Sequence, residues 1–311
     1  ERADVAEGPE IILAQVDALF ERLEAEQETP GQLWGLGIGV PGPVEFRTGH
    51  PISPPIMPGW EGYPVREHFA GRHRVPVWVD NDVNIMALGE WRSGLANGHD
   101  DFMFVKVGTG IGCGFVSNGR IHRGAQGCAG DIGHVQVASE ERQICRCGKI
   151  DCLESHAGGA ALAREGTRLA ENGESERLAT VLRERGSITA REVIRAARVG
   201  DPASARLLDQ SARLVGQTLA SLANFFNPSL IVVGGGVARA GDAYLATIRQ
   251  VIYARSTALA TRELLVQLSR LGNRAGVIGG ASMVLDELFS AHQLAAWIDE
   301  GRPAALLETA A

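Results

Sequence analysis

Cys145, Cys147 and Cys152 crowd into one short stretch of this chain, and His134 stands shortly before them. Three thiolates and one imidazole make a closed tetrahedral ligand set for zinc, with no coordination position left for a substrate. A metal held there would be structural and would give the loop 131–154 a fixed shape. Free buried thiols or a disulfide are the other uses of such residues. The chain has five cysteines, an odd number, and a tight cluster of this kind reads as a metal site before it reads as a disulfide framework. Cys113 and Cys128 read as packing residues.

Two further groups could do chemistry on hydroxyls. Asp80-Asn81-Asp82 follows the apolar run 75–79. A carboxylate at a strand end can take a proton from a substrate hydroxyl, and the Asn81 amide can both donate to and accept from hydroxyls. Asp82 could equally do no more than cap the helix that starts at Val83. Asp131, His134 and Glu154 would place two carboxylates and an imidazole at the rim of the metal loop, suited either to a polyhydroxyl ligand or to supporting the metal.

Two glycine turns complete the set. Gly108-Thr109-Gly110-Ile111-Gly112 offers successive amides to an anion, or is an ordinary glycine hairpin. A strand follows it, so it is not the dinucleotide-binding fingerprint, which opens a helix. Gly234-Gly235-Gly236 ends an apolar strand and would let a flat ring approach the backbone, or is a plain strand-to-helix turn.

The elements that must position these residues alternate between strands and helices. Helical spacing marks 9–26, with Pro9 at its start. Strands are expected at 34–40, 75–79, 102–107, 113–117, 229–233 and 264–269. A helix should run from the Asp82 region to Leu95. Asp201-Pro202 should open a long helix over 202–226, and a closing helix follows Asn273. Residues 124–156 read as loop. Ligands in such α/β chains sit at the carboxyl ends of strands.

Composition bounds the rest. The chain has 311 residues, 45% hydrophobic and 22% charged, enough to build real cores and too apolar for disorder. A net charge of −7 makes non-specific nucleic-acid binding unfavourable. No apolar run reaches the ~20 residues of a membrane helix, and the opening Glu1-Arg2-Ala3-Asp4 is no signal peptide. The expectation is a cytoplasmic protein with no membrane partner.

Taken together, the residues resemble the repressor–ORF–kinase (ROK) family of sugar kinases and sugar-responsive regulators. The likeness rests on Asp80 through Glu90, on Gly108–Gly112, on Gly127-Cys128-Ala129-Gly130-Asp131-Ile132-Gly133-His134, and on Cys145 through Glu154. It implies an α/β fold of the actin-like ATPase, ribonuclease-H-like, two-lobed type, with the small lobe incomplete at its N-terminus. The small lobe would be 1–95, completed by the C-terminal helix 276–300, and the large lobe 96–275. The resemblance further implies Asp82 as the catalytic base position. Asn81, Asp82, Asp131, His134 and Glu154 would contact a small-molecule sugar, and His134 would share the zinc with Cys145, Cys147 and Cys152. Gly108, Thr109, Gly110 and Gly112 would face nucleotide phosphates, and Gly234, Gly235 and Gly236 the adenosine. A homodimer, or a dimer of dimers, is implied as well.

The sequence departs from the kinases at Asp131, where they carry Glu, and the stretch Leu285–Ser290 looks like the regulator branch. The family's Asp-x-Gly-Gly-Thr phosphate loop does not precede the first helix, nor does a DNA-binding head, so DNA would be reached only through an absent N-terminal domain. Losing even one donor to a transferring phosphoryl group costs about 3 kcal/mol, so weak kinase activity is expected. The favoured function is the sugar-binding, dimerising part of a transcriptional regulator. The alternative is an ATP-dependent hexose kinase of the glucokinase type, using ATP with Mg.

Overall fold

The computed structural model describes residues 3–26, 33–139 and 141–300; the opening Glu1 and Arg2 lie outside that range. In chain order the elements are α1 (Pro9–Ala25), β1 (Leu36–Val40), β2 (Val44–Glu45), β3 (His50–Pro51), α2 (Val65–His73), β4 (Val77–Asn81) and α3 (Asp82–Ser93). Then come β5 (Phe102–Val107), β6 (Ile111–Ser117), β7 (Arg120–Ile121), α4 (Leu153–Ala157), α5 (Gly159–Glu171), α6 (Glu176–Arg185), α7 (Ala190–Arg198) and α8 (Pro202–Phe226). The chain continues with β8 (Leu230–Gly234), α9 (Asp242–Arg255), α10 (Ala258–Thr261), β9 (Leu265–Leu268), α11 (Arg274–Leu288) and α12 (Ala291–Glu300).

Contacts divide these elements into two units. The first holds Glu1–Arg92, Arg123–Cys128 and Asn273–Ala311, and the second Ser93–His122 and Ala129–Gly272. The short segment 123–128, which the sequence reading left in the large lobe, groups with the first unit.

In the first unit, β1 and β4 pair in parallel with Val40 opposite Asn81, and among the described residues this sheet has two strands. The core around them is apolar and dense, with Leu13, Met57, Trp60, Val65, Phe69 and Val79 at most 2% exposed. Helix α3 crosses α11 at backbone distance. A Cβ placed on Gly279 would lie 1.7 Å from the Ile85 carbonyl oxygen, and one on Gly89 would lie 2.0 Å from that of Ala275. Only hydrogen fits at these points, so α11 can sit directly on the helix that begins at Asp82. Gly279→Ala is therefore expected to destabilise the protein by at least ~2 kcal/mol, because the clash is with main chain that cannot rotate away. A shift in the urea midpoint at constant slope would measure it.

The helix expected over 276–300 is two helices. Phe289 leaves helical geometry (φ −97°, ψ 18°), and the Ser290 hydroxyl accepts from the Gln293 amide at 3.4 Å to start α12. Such a serine favours beginning a helix over continuing one.

The second unit is built on a five-stranded sheet in the order β7-β6-β5-β8-β9, with β5, β8 and β9 parallel and β6 antiparallel to β5. Residues Phe102–Val105 and Leu230–Val233 are fully buried, as a central strand pair covered on both faces requires. Helix α8 opens as its Asp-Pro pair predicts, the Asp201 carboxylate accepting from the Ser204 amide at 2.9 Å. Its apolar stripe, including Val215, Leu219 and Ala223, is buried in this unit's core. The stretch read as loop from 124 to 156 contains the start of α4 and a tight turn at Ile132–His134. Among the described residues no helix is long and apolar enough to cross a membrane.

Candidate functional site

The second unit gathers the cysteines. The ligand atoms of His134, Cys145, Cys147 and Cys152 all lie within 4.8 Å of one another. The Sγ atoms of Cys147 and Cys152 are 3.7 Å apart, and Cys145 Sγ is 3.7 Å from His134 Nδ1. A disulfide would need about 2.05 Å. Tetrahedral coordination at about 2.3 Å to sulfur and about 2.0 Å to nitrogen gives ligand–ligand edges of about 3.5–3.8 Å, so the residues present fit such a cation. All five cysteines are unbridged.

Local hydrogen bonds build this cluster. The Cys145 amide donates to the Lys149 carbonyl at 2.8 Å and the Gly148 amide to the Cys145 carbonyl at 2.9 Å, closing a knuckle around Cys147. Gly148 has φ +83°, which a residue with a side chain would resist. Asp151 takes the left-handed conformation, and its carboxylate accepts from the Gln143 amide at 2.8 Å and lies 3.0 Å from His156 Nε2. Those two partners hold it below the usual carboxylate range. Burial pushes the Cys145 and Cys152 thiols up, so cation binding there must displace protons. The other ring nitrogen of His134 faces Asp131 Oδ1 at 3.7 Å, too long for a hydrogen bond.

Glu154, in the first turn of α4 beyond Cys152, reaches over the first glycine turn. Its Oε2 lies 3.4 Å from the Ile111 amide and its Oε1 3.4 Å from Cys145 Sγ. A Cβ on Gly110 would come within 2.5 Å of Oε2, so glycine is what lets this acid lie there. Asp131 is half-exposed. Burial raises its carboxyl above the ordinary range, His134 opposes the rise, Glu154 adds to it, and Lys149 opposes it. Asp131, His134 and Glu154 thus lie near one another on the cysteine loop, next to the Gly108–Gly110 turn.

That turn and the triple glycine are neighbours as well, at the carboxyl ends of the adjacent parallel strands β5 and β8, with Lys106 opposite Gly234. Gly235, at φ +92°, packs so closely that a Cβ would meet the Val107 carbonyl at 2.4 Å, whereas nothing lies within 4 Å of one on Gly236. The carbonyls of Gly108 and Thr109 accept from the Gly159 and Ala160 amides at 2.6 and 3.0 Å, tying the start of α5 to the turn. The amides of exposed Thr109 and half-buried Gly110 have no such backbone partner among the described residues. Gly112 differs from the rest, lying inside β6 opposite Lys106.

In the first unit, Asp80, Asn81 and Asp82 occupy the end of β4 and the start of α3. The cap of α3 is Asn81. Its Oδ1 accepts from the Val83 amide at 2.9 Å and its Nδ2 donates to the Gly42 carbonyl at 2.8 Å. Cap work therefore occupies most of the Asn81 amide that the sequence reading offered to sugar hydroxyls, and it relieves Asp82 of that duty. Asp80 is buried, its Oδ1 accepting from the Asn81 amide at 2.7 Å and from Asn84 Nδ2 at 3.0 Å. Its Oδ2 accepts from Arg123 Nε at 2.8 Å. Arg123 escaped the sequence reading because nothing in its spacing marks an arginine in a glycine-rich stretch as a partner of a distant aspartate.

Residues 6–287 match the ROK family as a whole. The protein belongs to the ROK family. Among its curated relatives, a glucokinase from Halalkalibacterium halodurans is 38% identical over 86% of this chain and 81% of its own. A xylose repressor from Caldicellulosiruptor bescii is 31% identical over 92% of this chain and 71% of its own. In structure, the chain is similar to a ROK family glucokinase from Streptomyces griseus solved with glucose and AMPPNP, at TM-score 0.78 and 31% identity, covering 89% of this chain and 88% of that one. The fold is thus the actin-like ATPase class of the ROK sugar kinases. The expectation of a regulator is corrected by these matches, since this glucokinase is more similar than the repressor and more of its own length is covered. Asp131 and the Leu285–Ser290 stretch were too few residues to separate two branches that share one fold.

Proposed function

We propose that the protein is an ATP-dependent hexose kinase of the glucokinase type. The observation that carries this reading is Asp82 at the carboxyl end of β4, framed by a hydrogen-bonded turn, in a chain 38% identical to a glucokinase. In the reaction, the Asp82 carboxylate accepts the proton of a sugar hydroxyl as that oxygen attacks the γ-phosphorus of ATP, bound with Mg; ADP leaves and the sugar phosphate forms. Asp131, His134 and Glu154 are the polyhydroxyl-binding residues of this reading in the second unit, and Asn81 caps the turn that carries Asp82. The Thr109 and Gly110 amides face the phosphates, and the open backbone at Gly236 accommodates the adenosine ring.

Zinc on His134, Cys145, Cys147 and Cys152 supplies structure alone, fixing the loop that presents Asp131, His134 and Glu154. The donor set supports zinc over harder cations. A homodimer and a cytoplasmic location are part of this reading and rest on the family resemblance.

The test is a coupled assay for ADP formation on the full-length polypeptide, including any residues that precede Glu1, with glucose, mannose, N-acetylglucosamine and xylose in parallel. Sugar-dependent ADP release with glucose preferred is the expected result. Sugar binding without turnover for every member of the panel would sink the proposal.

A further inference from the structure

The segment 123–128 leaves the second unit's chain to pack in the first, and it brings one cation with it. Arg123 Nε donates to Asp80 Oδ2 at 2.8 Å, and its guanidinium lies 3.7 Å from the centre of the Phe46 ring. Phe46 is itself held from behind, Arg66 donating to the Phe46 carbonyl at 2.7 Å and also to that of Arg47. Asp80 is 2% exposed, so its charge has no water to screen it. A second acid, Glu287 on α11, interacts electrostatically with the same arginine. A buried carboxylate stripped of its cation keeps the full cost of its desolvation.

Every bond that Asp80 makes on its other oxygen ends on the turn that carries Asp82. Oδ1 holds the Asn81 amide and the Asn84 side chain, and Asn81 in turn caps Val83 and reaches back to Gly42. The turn that carries Asp82 is therefore bonded to Asp80, and the cation on Asp80 is Arg123, with the Glu287 carboxylate facing both charges. We propose that Arg123 is a positioning residue of the reaction, acting through Asp80 to hold the Asp80–Asn84 turn and so the carboxylate of Asp82. This rests on the kinase reading for its catalytic consequence, but the ordering of the turn is a property of the first unit alone.

The experiment compares the full-length wild-type protein with Arg123→Gln, Arg123→Lys and the double variant Asp80→Asn/Arg123→Gln. Misplacing a catalytic group by about an ångström costs roughly 100-fold, so Arg123→Gln should lower kcat by about 10–100-fold while the sugar KM moves less than about threefold. Arg123→Lys keeps a cation and should recover part of the loss. The double variant removes the unpaired charge and should be more active than Arg123→Gln alone. Hydrogen exchange gives the readout that does not need turnover. Amides of 81–86 should exchange at least about tenfold faster in Arg123→Gln, with those of β8 unchanged. Wild-type kcat and unchanged exchange in Arg123→Gln would overturn the proposal, and so would equal acceleration in both units, which marks general destabilisation. If Arg123→Gln does not fold, the same two readouts in Arg123→Lys decide. If the wild-type protein phosphorylates no sugar, the kinase reading fails, and the exchange pattern alone decides whether Arg123 orders the turn.

Discussion

Asp82→Asn is expected to lower sugar-dependent kcat by about 10²–10⁴-fold, the range that a positioned general base contributes. The substitution keeps the side chain's shape and removes its capacity to take a proton. Asn81, not Asp82, caps α3, so the helix should survive with only the ~0.3–1 kcal/mol that an acid in a first turn provides. Sugar affinity should change little, because a base that acts in the transition state adds little to ground-state binding. Steady-state kinetics beside calorimetric sugar binding would separate the two. A variant within threefold of wild-type kcat would remove Asp82 from the chemistry, and a loss confined to KM would make it a binding residue only.

The second large effect concerns the metal loop. Cys147→Ala, or stripping with a strong chelator, should release about one zinc per chain and lower the stability of the second unit. Structural zinc in small domains supplies much of the folding free energy. The loop here also has a buried Leu153 and its own hydrogen-bond ladder, so a loss on the order of 3 kcal/mol is the reasonable scale. For a unit of this size that is a fall in Tm of roughly 6–12 °C. Sugar binding should be lost with the metal, because His134, Asp131 and Glu154 are held by the same loop. Metal analysis, a melting curve and calorimetry on one sample would check all three parts. Unaltered Tm and sugar affinity in metal-free protein would show that the ladder alone holds the loop.

The sequence carried much of the cysteine cluster and its surroundings because its signals are local. Cys145, Cys147, Cys152 and Glu154 lie within one short stretch, and the glycine at 148 already says where the chain must turn. The strands that lead into Gly108 and end in Gly234 are legible from their apolar runs, and Asp201-Pro202 from cap chemistry. The branch of the family was not legible. One methylene fewer at Asp131 and a short tail motif carry less information than similarity along the whole length, which points to the kinases.

What residue types and spacing determined by themselves was the cysteine–histidine cluster, the glycine turns and an acid at the end of β4. The tertiary structure decided which side chains those residues face. It made Asn81 the helix cap, moved Gly112 into a strand, laid Glu154 over Gly110, and brought Arg123 onto Asp80 from 43 positions along the chain. Such pairings depend on which buried charges meet once strands and helices have packed. No period or motif in the chain records them, because the cost of burying a carboxylate arises only after water has been removed from around it.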